Sequence, residues 1–137
     1  MSRPSADTLR RVPLFADLEP RELERFADSF KERVFAAGDT VSSEGGGAAG
    51  FFVIAEGTAS VSVRGTERGA LGPGDYFGEI ALIDEGARTA TITADTTLVC
   101  YGMTFWEFRP IVEANAQVAW KLLQALARKL RAAEQSA

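Results

Sequence analysis

At 137 residues the chain is long enough to bury one core and too short for two domains. A net charge of −4 and a pI near 4.9 give no global attraction to nucleic acid or to an anionic membrane, and no apolar run approaches the roughly 20 residues that cross a bilayer. Histidine is absent, which removes the commonest metal ligand and the commonest general base. The one cysteine, Cys100, excludes an internal disulfide and reads as a small buried residue in a reducing compartment. With 46% hydrophobic residues and no signal-peptide core at the N-terminus, a globular, cytoplasmic protein is expected.

Residues 5–30 read as helices. Leu9, Val12, Leu14, Phe15 and Leu18 are apolar anchors in a segment broken at Pro13. Pro20 stands where a first helical turn tolerates it, and Leu23, Phe26, Ala27 and Phe30 follow at helical spacing. From Arg33 to Met103 the pattern changes to short β-type runs: Val34-Phe35, Thr40–Ser42, Phe51–Ala55, Ala59–Arg64, Glu67–Leu71, Ala90–Ala94 and Leu98–Met103. Turn signals at Gly38-Asp39, Glu56-Gly57, Gly65, Gly72-Pro73-Gly74-Asp75 and Asp95 separate them. Such a series predicts an antiparallel barrel or jelly roll. Gly45-Gly46-Gly47 lacks the Lys-Ser/Thr ending of a P-loop and is read as a hairpin loop.

Helix returns over 104–134. Thr104 with Glu107 three residues on is a capping-box arrangement, and Phe105, Phe108, Ile111 and Val112 mark a first amphipathic helix, which Pro110 is expected to shorten or kink. A second helix is expected from Asn115 to about Glu134. In it Ala119, Leu123, Leu126, Leu130 and Ala133 form a heptad seam two repeats long, which suits either a homodimer through 115–134 or packing against the chain's own barrel. The fold expected is α+β: an antiparallel β-barrel or jelly roll flanked by N-terminal helices and two C-terminal helices, all one domain spanning 1–137.

The stretch from Phe77 to Thr91 carries the chemistry. Gly78 lets backbone approach a ligand, Glu79-Ile80-Ala81-Leu82-Ile83 reads as a helical turn with free amides, and Arg88 follows an Asp84-Glu85-Gly86-Ala87 turn. Amides and a guanidinium suit a phosphate, while Glu79 suits sugar hydroxyls.

Gly-Glu, an apolar residue, a small residue, Leu, five variable positions, Arg, Thr, Ala: over 78–90 this chain resembles the phosphate-binding cassette of the cyclic-nucleotide-binding domain family at every position. The family is shared by catabolite-activator-type regulators, cyclic-nucleotide-dependent kinases and cyclic-nucleotide-gated channels, and the resemblance extends over about residues 10–134.

The resemblance implies that Arg88 grips the cyclic phosphate, that Glu79 accepts from the ribose 2′-hydroxyl, and that Gly78, Ile80 and Ala81 offer backbone contacts. Thr89, followed by Ala90, would touch the phosphate or the purine edge without deciding between cyclic AMP and cyclic GMP. Ala55, Val61, Val63 and Leu71 align with positions lining the base and sugar pocket. At the lid the chain departs from the catabolite-activator pattern: Ala133 stands where a hydroxyl residue would bond adenine, Glu134 is an alternative acceptor, and Lys129 or Arg128 reaches back to Glu79.

The function expected is a cyclic-nucleotide receptor module, for cyclic AMP with cyclic GMP as the second candidate, acting on an unidentified effector through its C-terminal helices. It is expected to be a regulatory subunit or an excised domain, with no nucleic-acid or membrane partner, cofactor, metal or catalytic residue. The alternative is a ligand-independent dimerisation scaffold. A metal-dependent jelly-roll enzyme is discarded for want of histidine and of carboxylates at ligand spacing.

Overall fold

The computed structural model describes residues 4–43, 45, 50–83 and 89–136. Helix α1 (Ala6–Arg10) is capped by Ser5, whose hydroxyl accepts from the Thr8 N–H at 3.1 Å. A 3-10 turn at Pro13–Phe15 follows, and α2 (Pro20–Ser29) starts on Pro20, whose missing N–H is one the first turn leaves unused. The β region runs β1 (Lys31–Phe35), β2 (Thr40–Ser42), β3 (Phe51–Glu56), β4 (Ala59–Val63), β5 (Thr66–Leu71) and β6 (Tyr76–Phe77). A short helix α3 (Glu79–Ile83) interrupts it before β7 (Thr91–Ala94) and β8 (Leu98–Met103), and α4 (Phe105–Ala114) and α5 (Ala116–Ser136) close the chain.

The strands form two four-stranded antiparallel sheets, ordered β1-β8-β3-β6 and β2-β7-β4-β5. Of the two architectures expected, the jelly roll is the one adopted; the sheets do not close into a barrel. The two-residue strand β6 is too short to leave a periodic signal in the sequence.

Strand β3 shows why a jelly roll with helices needs a continuous apolar run. Phe51 and Val53 point to one side, into a core shared with Leu9, Phe15, Leu23, Phe26, Phe30, Phe108, Val118 and Leu122 from the helices. Phe52 and Ile54 point to the other side, into the interior between the sheets with Ala59, Ile92, Ala94, Leu98 and Cys100. A strand covered on both faces loses the polar alternation of a half-solvated one. The edge strands differ: β5 carries exposed Glu67 and Arg68 and so discourages further strand pairing.

In the C-terminal part, the Glu107 carboxylate accepts from the Thr104 N–H and hydroxyl, both at 3.1 Å. Pro110 lies inside α4 without ending it. Asn115 separates the two helices: its side chain donates to the Ile111 carbonyl at 2.8 Å while its own carbonyl accepts from the Ala119 N–H at 3.1 Å. Of α5, Val118 and Leu122 are buried against the body. The heptad seam points elsewhere: Ala119 and Leu126 are half-buried, and Leu123, Leu130 and Ala133 are exposed. Packing of the whole seam on the chain's own barrel therefore does not occur. In the glycine cluster, Gly45 lies in a turn, and Gly46 and Gly47 are outside the described residues. Among the described residues no helix is long and apolar enough to cross a membrane.

Candidate functional site

Two features fix the start of the site. The Gly72–Asp75 turn is tied down by its aspartate, whose carboxylate accepts from the Gly72 N–H at 2.8 Å, and by paired bonds to β3: Gly74 N–H to the Ile54 carbonyl and Ile54 N–H to the Asp75 carbonyl, each 2.9 Å. Strand β6 leaves that turn and pairs with β3, with Phe77 opposite Phe52 and their rings stacked at 5.3 Å. Gly102 lies opposite Phe52 on the other side, and a Cβ there would collide with the Phe52 ring. Phe52 thus has one place to lie, and it holds Phe77 against the sheet.

Immediately after Phe77, Gly78 takes φ +95°. An L side chain is disfavoured there, and the reversal swings the chain from strand into α3. Its consequence is the placement of Glu79, which is 4% exposed and is the buried charged residue among the described side chains. Burying a carboxylate is costly unless it is paired. Lys129, arriving from α5 fifty residues later, supplies the pairing: its Nζ stands 3.4 Å from both Oε1 and Oε2. Burial pushes the Tyr76 phenol up from its ordinary pKa, the Glu79 carboxylate adds to the rise, and the Arg128 guanidinium opposes it. Tyr76, Glu79, Arg128 and Lys129 are therefore one electrostatic neighbourhood.

Around Glu79 lies a cavity of about 290 Å³, near the lower end of the range usual for small-ligand clefts. Its apolar wall is Val61, Leu71 and Ile92 from the second sheet, and its rim runs through Tyr76 to Ile80, Thr89, Ala90 and Lys129, with Ser42 from β2. The chemistry on offer is an apolar cavity with a buried carboxylate at its rim that can accept hydrogen bonds. Among the described residues no group of three or more His, Cys, Asp or Glu side chains is placed to hold a metal ion.

The site residues expected from sequence are mostly brought together. Gly78, Glu79, Ile80, Thr89, Ala90, Val61, Leu71 and Lys129 all line this one cavity. Of the two cations considered for Glu79, Lys129 makes the contact. Val63 is not part of the lining; it lies one step nearer the Arg64-Gly65 hairpin end of β4. Ala133 and Glu134 are exposed on the far turns of α5 and also stand outside the lining, as does Ala55. Ala81 belongs to α3. Arg88 and the turn before it lie outside the described residues.

Four lining residues were not read from sequence: Ser42, Tyr76, Phe77 and Ile92. Ile92 had a usable signal, since it stands two residues beyond Ala90 in an alternating strand and so shares its face. Ser42 had none. It reaches the cavity because β2 pairs with β7, with Ser42 opposite Ile92.

The family model of the cyclic nucleotide-binding domain matches residues 32–115 of this chain. Over 102 residues the chain is 34% identical to potassium/sodium hyperpolarization-activated cyclic nucleotide-gated channel 2 of Mus musculus, a match covering 74% of this chain and 12% of that channel's length. It superposes on cAMP-bound PfPKA-R with a TM-score of 0.87 at 25% identity, covering 95% of this chain and 45% of that one. On the Catabolite Activator Protein of Thermus thermophilus the TM-score is 0.81 at 29% identity, over 90% of this chain and 61% of that one. A matched family model over most of the chain, the shared jelly roll and the placement of Gly78, Glu79, Ile80, Thr89 and Ala90 around one cavity agree: this chain belongs to the cyclic nucleotide-binding domain family.

Proposed function

We propose that the chain is a receptor module for a cyclic nucleotide, cyclic AMP first and cyclic GMP second, which binds its ligand without chemical turnover. The observation that carries the proposal is Glu79: a carboxylate withdrawn from water, set at the rim of an apolar cavity by a left-handed glycine. An ionised carboxylate has about four acceptor positions, and the Lys129 ammonium at 3.4 Å occupies few of them. A ribose 2′-hydroxyl is a donor that suits the remaining positions. In this reading Arg88 supplies the fork that grips the cyclic phosphate, where lysine would offer only a point charge. Val61, Leu71 and Ile92 cover the flat part of the ligand, and Thr89 lies at its phosphate or purine edge. Ala133 and Glu134 would reach the base only after α5 moves inward. The name of one similar structure, a cAMP-bound PfPKA-R, supports cyclic AMP.

The signal passes through α5 to a protein partner, either a second copy docked along 115–134 or an effector, in the cytoplasm and without nucleic acid or membrane. The same helix favours a second reading, a ligand-independent dimerisation scaffold, because Leu123 and Leu130 are 57% and 61% exposed. Calorimetric titration with cyclic AMP and with cyclic GMP separates the two. Saturable binding that is lost in Arg88→Ala supports the receptor. A folded chain that takes up neither nucleotide leaves the scaffold.

A further inference from the structure

Helix α4 presents an unusual stripe to solvent. Trp106, Arg109, Pro110, Glu113 and Ala114 are all exposed, while Phe108 on the other side is buried. A solvated helix face is ordinarily polar. This one carries Trp106, which at 82% exposed is the most exposed large apolar side chain among the described residues. Pro110 follows one turn later, inside the helix and without an N–H for its ladder. At the far end of the stripe lies a second cavity, of about 110 Å³, between α2 and α4. Phe26, Pro110, Ile111 and Ala114 are its apolar lining, and Glu22, Arg25 and Asn115 complete it.

The size of this cavity points to its occupant. It is well below the roughly 300 Å³ at which small-ligand clefts begin, and it suits one large side chain pressed in from a protein surface. Spacing then points to the protein. Trp106 and Ala114 stand four residues, about 6 Å, on either side of Pro110. A second copy laid antiparallel along α4, with the two-fold axis at Pro110, sets each Trp106 opposite the other copy's Ala114, at the cavity. Proline and alanine are compact, so the two helices can approach closely there. Charge does not oppose the contact: Arg109 and Glu113 on the stripe pair at 3.3 Å, and the cavity likewise carries one charge of each sign in Glu22 and Arg25. Two buried indoles at about 200 Å² each supply about a quarter of the roughly 1,600 Å² that a standard interface buries.

We propose that α4 and the cavity beside it are a self-recognition surface, through which two copies of this chain pair by exchanging Trp106. The inference does not rest on nucleotide binding. It uses neither Leu123 nor Leu130, so it leaves the exposed side of α5 to an effector.

The test is sedimentation over a range of concentrations, where the unmodified chain should pass from monomer to dimer. In Trp120→Phe, which leaves Trp106 as the one tryptophan, emission should shift to the blue as the dimer forms. Trp106→Ala removes the inserted ring and Ala114→Arg blocks the cavity. Both positions are exposed, so both variants should keep the fold, as circular dichroism would check. Each should weaken pairing about thirtyfold or more, the effect expected of a tryptophan anchor. Mixed in equal amounts, the two variants should regain part of the association, because Trp106 of one meets an open cavity on the other. Leu123→Ala combined with Leu130→Ala should pair like the unmodified chain. A chain that stays monomeric at every concentration overturns the proposal and leaves Trp106 to a different partner. A dimer that survives Trp106→Ala overturns it too, and one abolished by the paired leucine substitutions places the second copy on α5 instead. A mixture that regains nothing overturns the exchange.

Discussion

The two sides of strand β3 follow opposite packing rules. Toward the helices, Phe51 stacks on Phe108 at 4.9 Å and meets Phe15, Phe30 and Tyr76, while Phe15 lies 5.1 Å from Phe26. Rings in tilted, stacked and edge-on contact fill that side. Toward the second sheet the Phe52–Phe77 stack gives way to aliphatic and small side chains, among them Ala59, Ala94 and Cys100, and farther along a cavity remains open beside Val61 and Leu71. One strand thus divides the molecule into a filled side that supplies stability and a side where volume is withheld for a ligand. Substitutions on the first side should act on folding, and those on the second on binding.

The largest effect should come from Phe51→Ala, which removes the ring at the centre of the filled side. A cost of about 3–5 kcal/mol is expected, read from the denaturant midpoint, with nucleotide affinity kept under conditions where the variant is folded. Alkaline pH attacks the other side. Burial pushes the Cys100 thiol up to about 12 from its ordinary 9.0, against a small opposing pull from Arg33. Because the folded value is raised, the contribution is intact below pH 9 and falls away as pH climbs toward 12. The slope approaches about 1.4 kcal/mol per pH unit. Melting curves from pH 8 to 12 should show this loss, and Cys100→Ala should flatten it.

Gly102→Ala probes the link between the two functions. Its methyl group would drive Phe52 from its place and loosen the stack on Phe77, costing about 1–3 kcal/mol in melting experiments. Some affinity should be lost as well, because Phe77 leads into Gly78. Gly78→Ala should have the smallest effect on stability, about 1–2 kcal/mol for an L residue held at positive φ. Its effect on affinity should be the greatest of the four. A titration in which Phe51→Ala, though folded, weakened binding more than Gly78→Ala would break the division.

Much of this was legible along the chain because it depends on local rules. Leu9, Phe15, Leu23, Phe26 and Phe30 are buried as their spacing required. Glycine and aspartate turns separate the strands near the expected limits, and residues 78–90 carry their resemblance to the family's cassette in residue types and spacing. β6 leaves no sequence signal because two residues carry no period, and Val63 lies past the end of the lining that its strand position suggests.

The sequence by itself determined the succession of helices and strands and, through the resemblance of residues 78–90 to a known cassette, the family, because each is written in adjacent residues. Only the tertiary structure decided that Glu79 is buried, that Lys129 and not Arg128 answers it, that Ser42 and Ile92 meet at the cavity, and that Leu123 and Leu130 stay in solvent. Those outcomes join residues as far as fifty positions apart. They follow from which sheets face one another and where α5 crosses, and helical or strand periodicity holds no information about either.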